Sequence, residues 1–263
     1  MSSLSYALND SVTMLRRNLR HATRYPSMAL GTVVMPSMLL LLFVFAFGGT
    51  LGSGLTAGHE GMAYVDYLAP GIFLLALVMG AMTTSIAVAM DMTKGIINRF
   101  RTMPISRTSV ITGHVFGSVI QAMVSVAVVL AVALLAGFRP SAGVADWLAA
   151  IGLMALLSFA LTWIAVALGL LAKTVEGASN TPMILQILPF LSSGFVPADS
   201  MASGLRWFAE YQPFTPIADT LRGLLLGTTA GHDWITAVAW CLGLALVGFL
   251  WAQRLFRRDP RTT

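Results

Sequence analysis

Tyr67-Leu-Ala-Pro-Gly-Ile-Phe-Leu-Leu-Ala-Leu-Val-Met-Gly-Ala-Met-Thr-Thr-Ser-Ile-Ala-Val-Ala-Met90 runs for 24 residues between Asp66 and Asp91 without one charged side chain. At about 1.5 Å of rise per helical residue, that stretch is long enough to cross a hydrocarbon core roughly 30 Å thick. Five more charge-free intervals accompany it: 35 residues between Arg24 and Glu60, 31 between Arg107 and Arg139, 26 between Asp146 and Lys173, 22 between Glu176 and Asp199, and 20 between Asp233 and Arg254. Across all 263 residues only 10% are charged and 57% are hydrophobic, with a mean hydropathy of +0.79. A soluble domain carries about 25% charge, so the solvent for most of this chain is lipid. The expected fold is an all-α integral membrane protein with six transmembrane helices, near 27–48, 66–90, 109–137, 147–172, 178–196 and 233–253.

Glycines and prolines mark the limits of these spans. Gly48 to Gly61 holds six glycines and reads as a loop. Pro36, Pro182 and Pro189 fall inside spans, where they bend a helix if neighbours satisfy the freed carbonyls. A 27-residue polar segment before the first apolar run and five spans after it are unlike a cleaved signal peptide. The single cysteine, Cys241, rules out an intrachain disulfide framework and reads as a small packed hydrophobe. Fourteen arginines against two lysines (Lys94 and Lys173), with abundant Ala, Val and Gly, fit a high-GC bacterial genome.

Orientation follows from the basic residues, which concentrate on the cytoplasmic side. With the N-terminus inside, thirteen of the sixteen Lys and Arg are cytoplasmic and only Arg139, Arg206 and Arg222 are outside. Seven of the eleven acids then lie outside. The expected location is a bacterial plasma membrane, multi-pass, with both termini cytoplasmic. The chain reads as one membrane domain over 1–263: an interfacial helix within 1–26, a six-helix bundle over 27–254 and a cytoplasmic tail over 255–263. The net charge of +5 does not argue for nucleic acid, because it sits beside the spans.

Three segments outside the spans carry pattern. Leu4, Leu8, Val12, Leu15 and Leu19 form one helical stripe, with Arg16, Arg17, Arg20 and Arg24 mostly off it. A basic amphipathic helix of this kind rests in the membrane interface. In the second cytoplasmic segment, Ile96, Ile97, Phe100 and Met103 make a small apolar face beside Lys94, Arg99 and Arg101, and Pro104 ends the helix. That face suits docking to a partner. The outer stretch from Phe195 to Asp233 holds two short amphipathic pieces, one near Met201–Tyr211 with Leu205, Trp207, Phe208 and Tyr211, the other near Ala218–Leu226. They are expected to dip into the outer leaflet or cap the bundle.

Other chemistries find little support. An ion-coupled secondary multidrug carrier is the alternative transporter, but such carriers place ionisable residues in the bilayer, and the six span interiors hold no Asp, Glu, Lys or Arg. His114, near a cytoplasmic end, reads as a packing histidine. Ser193 with His232 resembles a serine–histidine pair only superficially, since both lie at span ends and Leu191 stands where an intramembrane protease would need Gly. The four histidines are too scattered for a metal site. Gly113-His-Val-Phe-Gly117 is a GxxxG step that reads best as intrachain packing.

Two stretches carry a family resemblance. Leu191-Ser-Ser-Gly-Phe-Val-Pro197, followed by Pro213-Phe-Thr-Pro-Ile-Ala-Asp-Thr-Leu-Arg-Gly-Leu-Leu-Leu-Gly227, resembles the closing region of type-2 ABC exporter permeases. Gly95-Ile-Ile-Asn-Arg-Phe-Arg-Thr-Met-Pro-Ile-Ser-Arg107 resembles the coupling segment of the same family, above all its daunorubicin and multidrug-resistance branch. Asn98 departs from the pattern, since many relatives carry an acid there.

The resemblance implies an ATP-driven exporter with a separate ABC ATP-binding subunit, which carries ATP and Mg, and a second permease copy or related chain. ATPase coupling would then fall to Lys94, Ile96, Ile97, Arg99, Phe100, Arg101, Met103 and Pro104. In relatives the second and fifth spans line the pathway, so here it would run past Leu75, Met79, Met82 and Ile86 on one helix and Met183, Gln186, Ile187 and Phe190 on the other. The substrate would be an amphipathic small molecule such as a hydrophobic drug, antibiotic or lipid-like natural product, moved by alternating access. One point is independent of the resemblance: no phosphate-cradling GxxxxGK[ST] loop is present. The nearest stretch, Ala167-Leu-Gly-Leu-Leu-Ala-Lys-Thr174, has Ala at both obligatory glycine positions. No cofactor and no catalytic site are expected on this chain.

Overall fold

An uninterrupted apolar run in which every backbone N–H must find its partner within the segment becomes a helix, and long helices dominate the computed structural model. It describes residues 26–49, 62–93, 107–172, 174–180, 182–228 and 233–257. The first helix, α1, spans Pro26–Leu41 and loosens into a π-helical turn over Leu42–Phe47. Then follow α2 (Tyr64–Thr93), α3 (Arg107–Leu135) and α4 (Val144–Leu171). Short pieces come next: α5 (Val175–Asn180), α6 (Met183–Ile187) and 3-10 turns at Leu188–Leu191 and Ala198–Ser200. Two outer helices, α7 (Ser203–Tyr211) and α8 (Phe214–Leu225), lead to α9 (Asp233–Arg257). Among the described residues, five helical stretches are long and apolar enough to cross a membrane.

The expected span over 178–196 is corrected here, since it is not one helix. Pro182 and Pro189 each lack the N–H that would bond the carbonyl four residues back, and the stretch is divided into α5, α6 and a 3-10 turn. A partner outside the stretch makes the first interruption tolerable. Pro182 has no N–H for the Ala178 carbonyl, and Ser85 Oγ on α2 donates to it at 3.1 Å. Within the stretch, the Pro189 carbonyl accepts from Ser192 Oγ at 2.6 Å. Ser85 and Gly71, the points at which α2 meets the two ends of the stretch, are fourteen residues apart on α2. That separation is about 21 Å along the helix.

Helix α2 is the centre of the bundle, packed by α1, α3, α4, α5 and α8. From Tyr64 to Val78 it is buried at every position except Asp66, which suits a segment that is apolar all round. Phe73 packs edge-on against Phe138, with centroids 6.2 Å apart, and Leu40, Leu68, Ile72, Leu157, Phe214 and Ile217 complete one core. Hydroxyl pairs knit the helices within the apolar layer, Thr32 to Ser125 at 3.0 Å and Thr84 to Ser118. A second cluster joins α4 to α9, where Trp163 meets Phe249 edge-on at 4.9 Å.

Helix α8 is not a surface helix. Phe214, Ile217, Ala218, Leu221 and Leu225 are buried, so it caps the bundle from the end expected to face outside. Its C-terminus closes in a Schellman turn: Thr228 N–H donates to the Gly223 carbonyl at 2.9 Å, and Gly227 takes the left-handed φ of 64° that this turn requires. Ser141 in the loop after α3 supplies two further donors, its N–H to the Leu225 carbonyl and its Oγ to that of Leu226. By contrast α7 turns only Ala209 inward and leaves Leu205, Trp207, Phe208 and Tyr211 exposed.

A polar clamp and an exposed apolar face

Where the interrupted stretch ends, Ser193 is gripped from two elements at once. Its carbonyl accepts from Tyr67 Oη on α2 at 2.7 Å and from Arg222 Nη2 on α8 at 2.8 Å. Its hydroxyl donates to Asp219 Oδ1 at 2.8 Å, and its N–H donates to Thr215 Oγ1 at 3.2 Å. Arg222 pairs with Asp219 at 2.5 Å, one helical turn back on α8, so Asp219 accepts from both residues. The guanidinium also lies 3.9 Å from the centre of the Tyr67 ring and donates to the Tyr67 carbonyl at 3.3 Å. Close by, Gln212 Nε2 donates to the Leu191 carbonyl at 2.6 Å.

The electrostatics favour keeping this arrangement intact. The Arg222 side chain is 11% exposed and that of Asp219 35%. A cation this enclosed is tolerable only when paired, and removing one partner leaves a buried charge uncompensated. Arg is suited to the position because its planar fork can serve a carboxylate and two carbonyls at once. The neighbouring backbone leaves no slack. A Cβ on Gly71 would lie 2.4 Å from the Gly194 carbonyl oxygen, so the loop after Ser193 touches α2 directly.

Before the clamp, the short pieces present a different surface. Met183, Ile184, Ile187 and Phe190 are exposed, Ile184 by 70%. Gln186 and Leu185 are half-buried. Phe190 stacks on Phe195 with centroids 4.6 Å apart, and Phe195 reaches Phe43 in the π-helical turn of α1 at 5.9 Å. Soft, irregular apolar walls of Met, Ile and Phe adapt to varied ligands.

The structure separates the two expected pathway faces. On the interrupted stretch, Met183, Ile187 and Phe190 lie on its exposed side, with Gln186 half-buried. On α2, Leu75 is sealed in the core at 0% exposure, Met79 packs against that core, and Met82 and Ile86 are half-buried. Leu75 reaches no surface of the single chain, because α2 is surrounded at that level. The coupling residues Lys94, Ile96, Ile97, Arg99, Phe100, Arg101, Met103 and Pro104 lie outside the described residues, as do the amphipathic stripe over 4–24 and His232. Of the outer pieces, the expected helices near Met201–Tyr211 and Ala218–Leu226 appear as α7 and α8, with α8 starting four residues earlier.

Residue patterns alone had not pointed to Tyr67, Thr215, Asp219 and Arg222 as a unit. One signal was available: an Asp and an Arg three apart in an otherwise apolar helix between two spans are costly to expose to lipid and imply mutual pairing.

Comparison with known proteins places the geometry in context. Residues 10–226 match the family described as ABC-2 type transporter. A daunorubicin resistance ABC transporter permease protein from Streptomyces coeruleorubidus is 30% identical over 254 residues, 95% of this chain and 87% of that one. A probable doxorubicin resistance ABC transporter permease protein from Mycobacterium tuberculosis is 23% identical over 219 residues, 83% of this chain and 77% of that one.

Proposed function

This chain belongs to the ABC-2 type transporter family, within its drug-resistance permease branch, and from that premise we propose that it is the membrane-spanning subunit of an ATP-driven drug exporter. The observation that carries the reading is likeness to a daunorubicin resistance permease along 95% of the chain. The interrupted stretch serves as a further crossing beside α2, which gives six crossings and leaves both termini on the cytoplasmic side. Two copies, or this chain with a similar one, form the pore domain. An ABC ATP-binding subunit carrying ATP and Mg docks at residues 94–106, and its closure tilts the bundle outward.

The transported molecule is an amphipathic drug or natural product. It passes along the exposed face of Met183, Ile187 and Phe190, with Met79, Met82 and Ile86 of α2 flanking the route. Two things support this: soft apolar side chains gathered beside a broken helix, and relatives whose names specify anthracycline resistance. The test is affinity purification of the tagged chain from its native membrane in mild detergent, with crosslinking and mass spectrometry. A stoichiometric ABC ATPase supports the proposal. A chain that purifies alone after crosslinking refutes it.

A further inference from the structure

The interrupted stretch is hydrogen-bonded to α2 at two points; between them it packs on α2 through Leu185 and Leu188 and presents an exposed apolar face on its other side. At one end Ser85 Oγ holds the Ala178 carbonyl, and α4 presses Ser85 closely, since a Cβ on Gly169 would lie 2.6 Å from the Ser85 carbonyl oxygen. At the other end Tyr67, Thr215, Asp219 and Arg222 occupy the carbonyl, hydroxyl and N–H of Ser193. Between these points Met183, Ile184, Ile187 and Phe190 are exposed, and the backbone consists of pieces little more than one turn long. A helix divided by two prolines bends at its breaks at less cost than an intact one.

Arg222 differs from the other members of the clamp. Tyr67 and Thr215 each give Ser193 one neutral hydrogen bond. Arg222 bonds the Ser193 carbonyl, the Tyr67 carbonyl and the Asp219 carboxylate together, so it links α2, α8 and the end of the stretch. Hydrogen bonds to a charged group are stronger than those between neutral groups. Removing its fork takes away one of the two donors to the Ser193 carbonyl and the bond from α8 to the Tyr67 carbonyl, leaving the Tyr67, Thr215 and Asp219 side chains to hold Ser193.

We propose that Arg222 is a positioning residue for transport: it fixes the outer end of the interrupted stretch on α2 and α8, so that movement of the stretch is confined between Ala178 and Ser193. The proposal rests on the reading of this chain as a permease. It makes the exposed Met183–Phe190 face the moving part and the clamp a stationary anchor.

The experiment measures the anchor and transport separately. Spin labels at Ala63→Cys and Val196→Cys, in a Cys241→Ser background, report the distance from the start of α2 to the residue just past the clamp. With Arg222 intact the distance distribution is narrow, and with Arg222→Gln its width at least doubles. In vesicles bearing the ATPase partner and an anthracycline as probe, Arg222→Gln lowers the maximal transport rate at least tenfold and shifts KM less than twofold. Arg222→Lys, which keeps the charge beside Asp219 but loses the fork, falls between the two on both readouts. If Arg222→Gln does not reach the membrane, Arg222→Lys carries the test alone. An unchanged distance width, or a loss of transport carried by KM, overturns the assignment. Because the distance readout needs no transport, a wild-type chain that moves no anthracycline refutes the proposed function and leaves the anchor to be judged on distance alone.

Discussion

Gly71→Ala tests the tightest contact in the bundle. The added Cβ would sit 2.4 Å from the Gly194 carbonyl oxygen, 2.7 Å from its carbonyl carbon and 3.0 Å from its Cα. All three are backbone atoms, so no side chain can swing aside. Restoring ordinary contact requires α2 and the loop to separate by about 1 Å, an overpacking cost of about 1–3 kcal/mol. The same shift stretches the bonds of Tyr67 and Arg222 to the Ser193 carbonyl, now 2.7 and 2.8 Å, beyond good geometry and removes about 1–3 kcal/mol more. Against this, Ala gains about 1 kcal/mol over Gly in a helix. The net destabilisation is about 1–5 kcal/mol. The lone Cys241 is fully buried, so a thiol-reactive dye reports its exposure on heating. At about 2–4 °C per kcal/mol for a chain of this size, the transition falls by about 2–20 °C. Gly152→Ala is the control, since a Cβ there meets nothing within 4 Å. If Gly71→Ala melts within 1 °C of wild type, the contact is not tight and the reasoning fails.

Three further outcomes are expected. Ser85→Ala removes the donor that stands in for the absent Pro182 N–H at the Ala178 carbonyl, and the same thiol assay should detect a loss of about 1–2 kcal/mol. Phe190→Ala with Met79→Ala should lower drug-stimulated ATP hydrolysis at least threefold in the reconstituted complex. Unchanged stimulation would remove that face from the route. Phe100→Ala with Arg101→Ala should leave expression intact and separate ATP hydrolysis from drug movement, whereas wild-type transport in that double variant would rule out coupling through residues 94–106.

Charge-free intervals locate all five long helical stretches to within about three residues at most ends. Expected 27–48, 66–90, 109–137, 147–172 and 233–253 correspond to Pro26–Leu41 with Leu42–Phe47, Tyr64–Thr93, Arg107–Leu135, Val144–Leu171 and Asp233–Arg257. These limits are legible because lipid forbids both stray charges and unpaired backbone. In the fifth interval the expected bends at Pro182 and Pro189 are full breaks between short pieces. Hydropathy registers apolar side chains but cannot register that Ser85, 93 positions from Ala178, accommodates a backbone break. Leu75 illustrates another limit. A helical face can be drawn on any apolar helix, but when neighbours cover the helix on every side, periodicity does not say which face is open. The clamp was hidden for a third reason, since Tyr67, Ser193 and Arg222 meet only after three elements have folded together.

That separation along the chain also fixes an order of assembly. Tyr67 and Ser85 are made first, on the most enclosed helix of the bundle. When the weakly helical pieces from Val175 to Leu191 emerge, α2 already offers a hydroxyl to the Ala178 carbonyl and an aromatic hydroxyl to that of Ser193. Arg222 follows 29 residues after Ser193, a delay of about 1.5–6 s at typical rates of synthesis. Until α8 is made, Ser193 has Tyr67 available but lacks Thr215, Asp219 and Arg222, and the arrival of α8 supplies those three partners. An early helix thereby serves as the template on which a later segment, too broken to be a stable helix alone, acquires its path across the bundle.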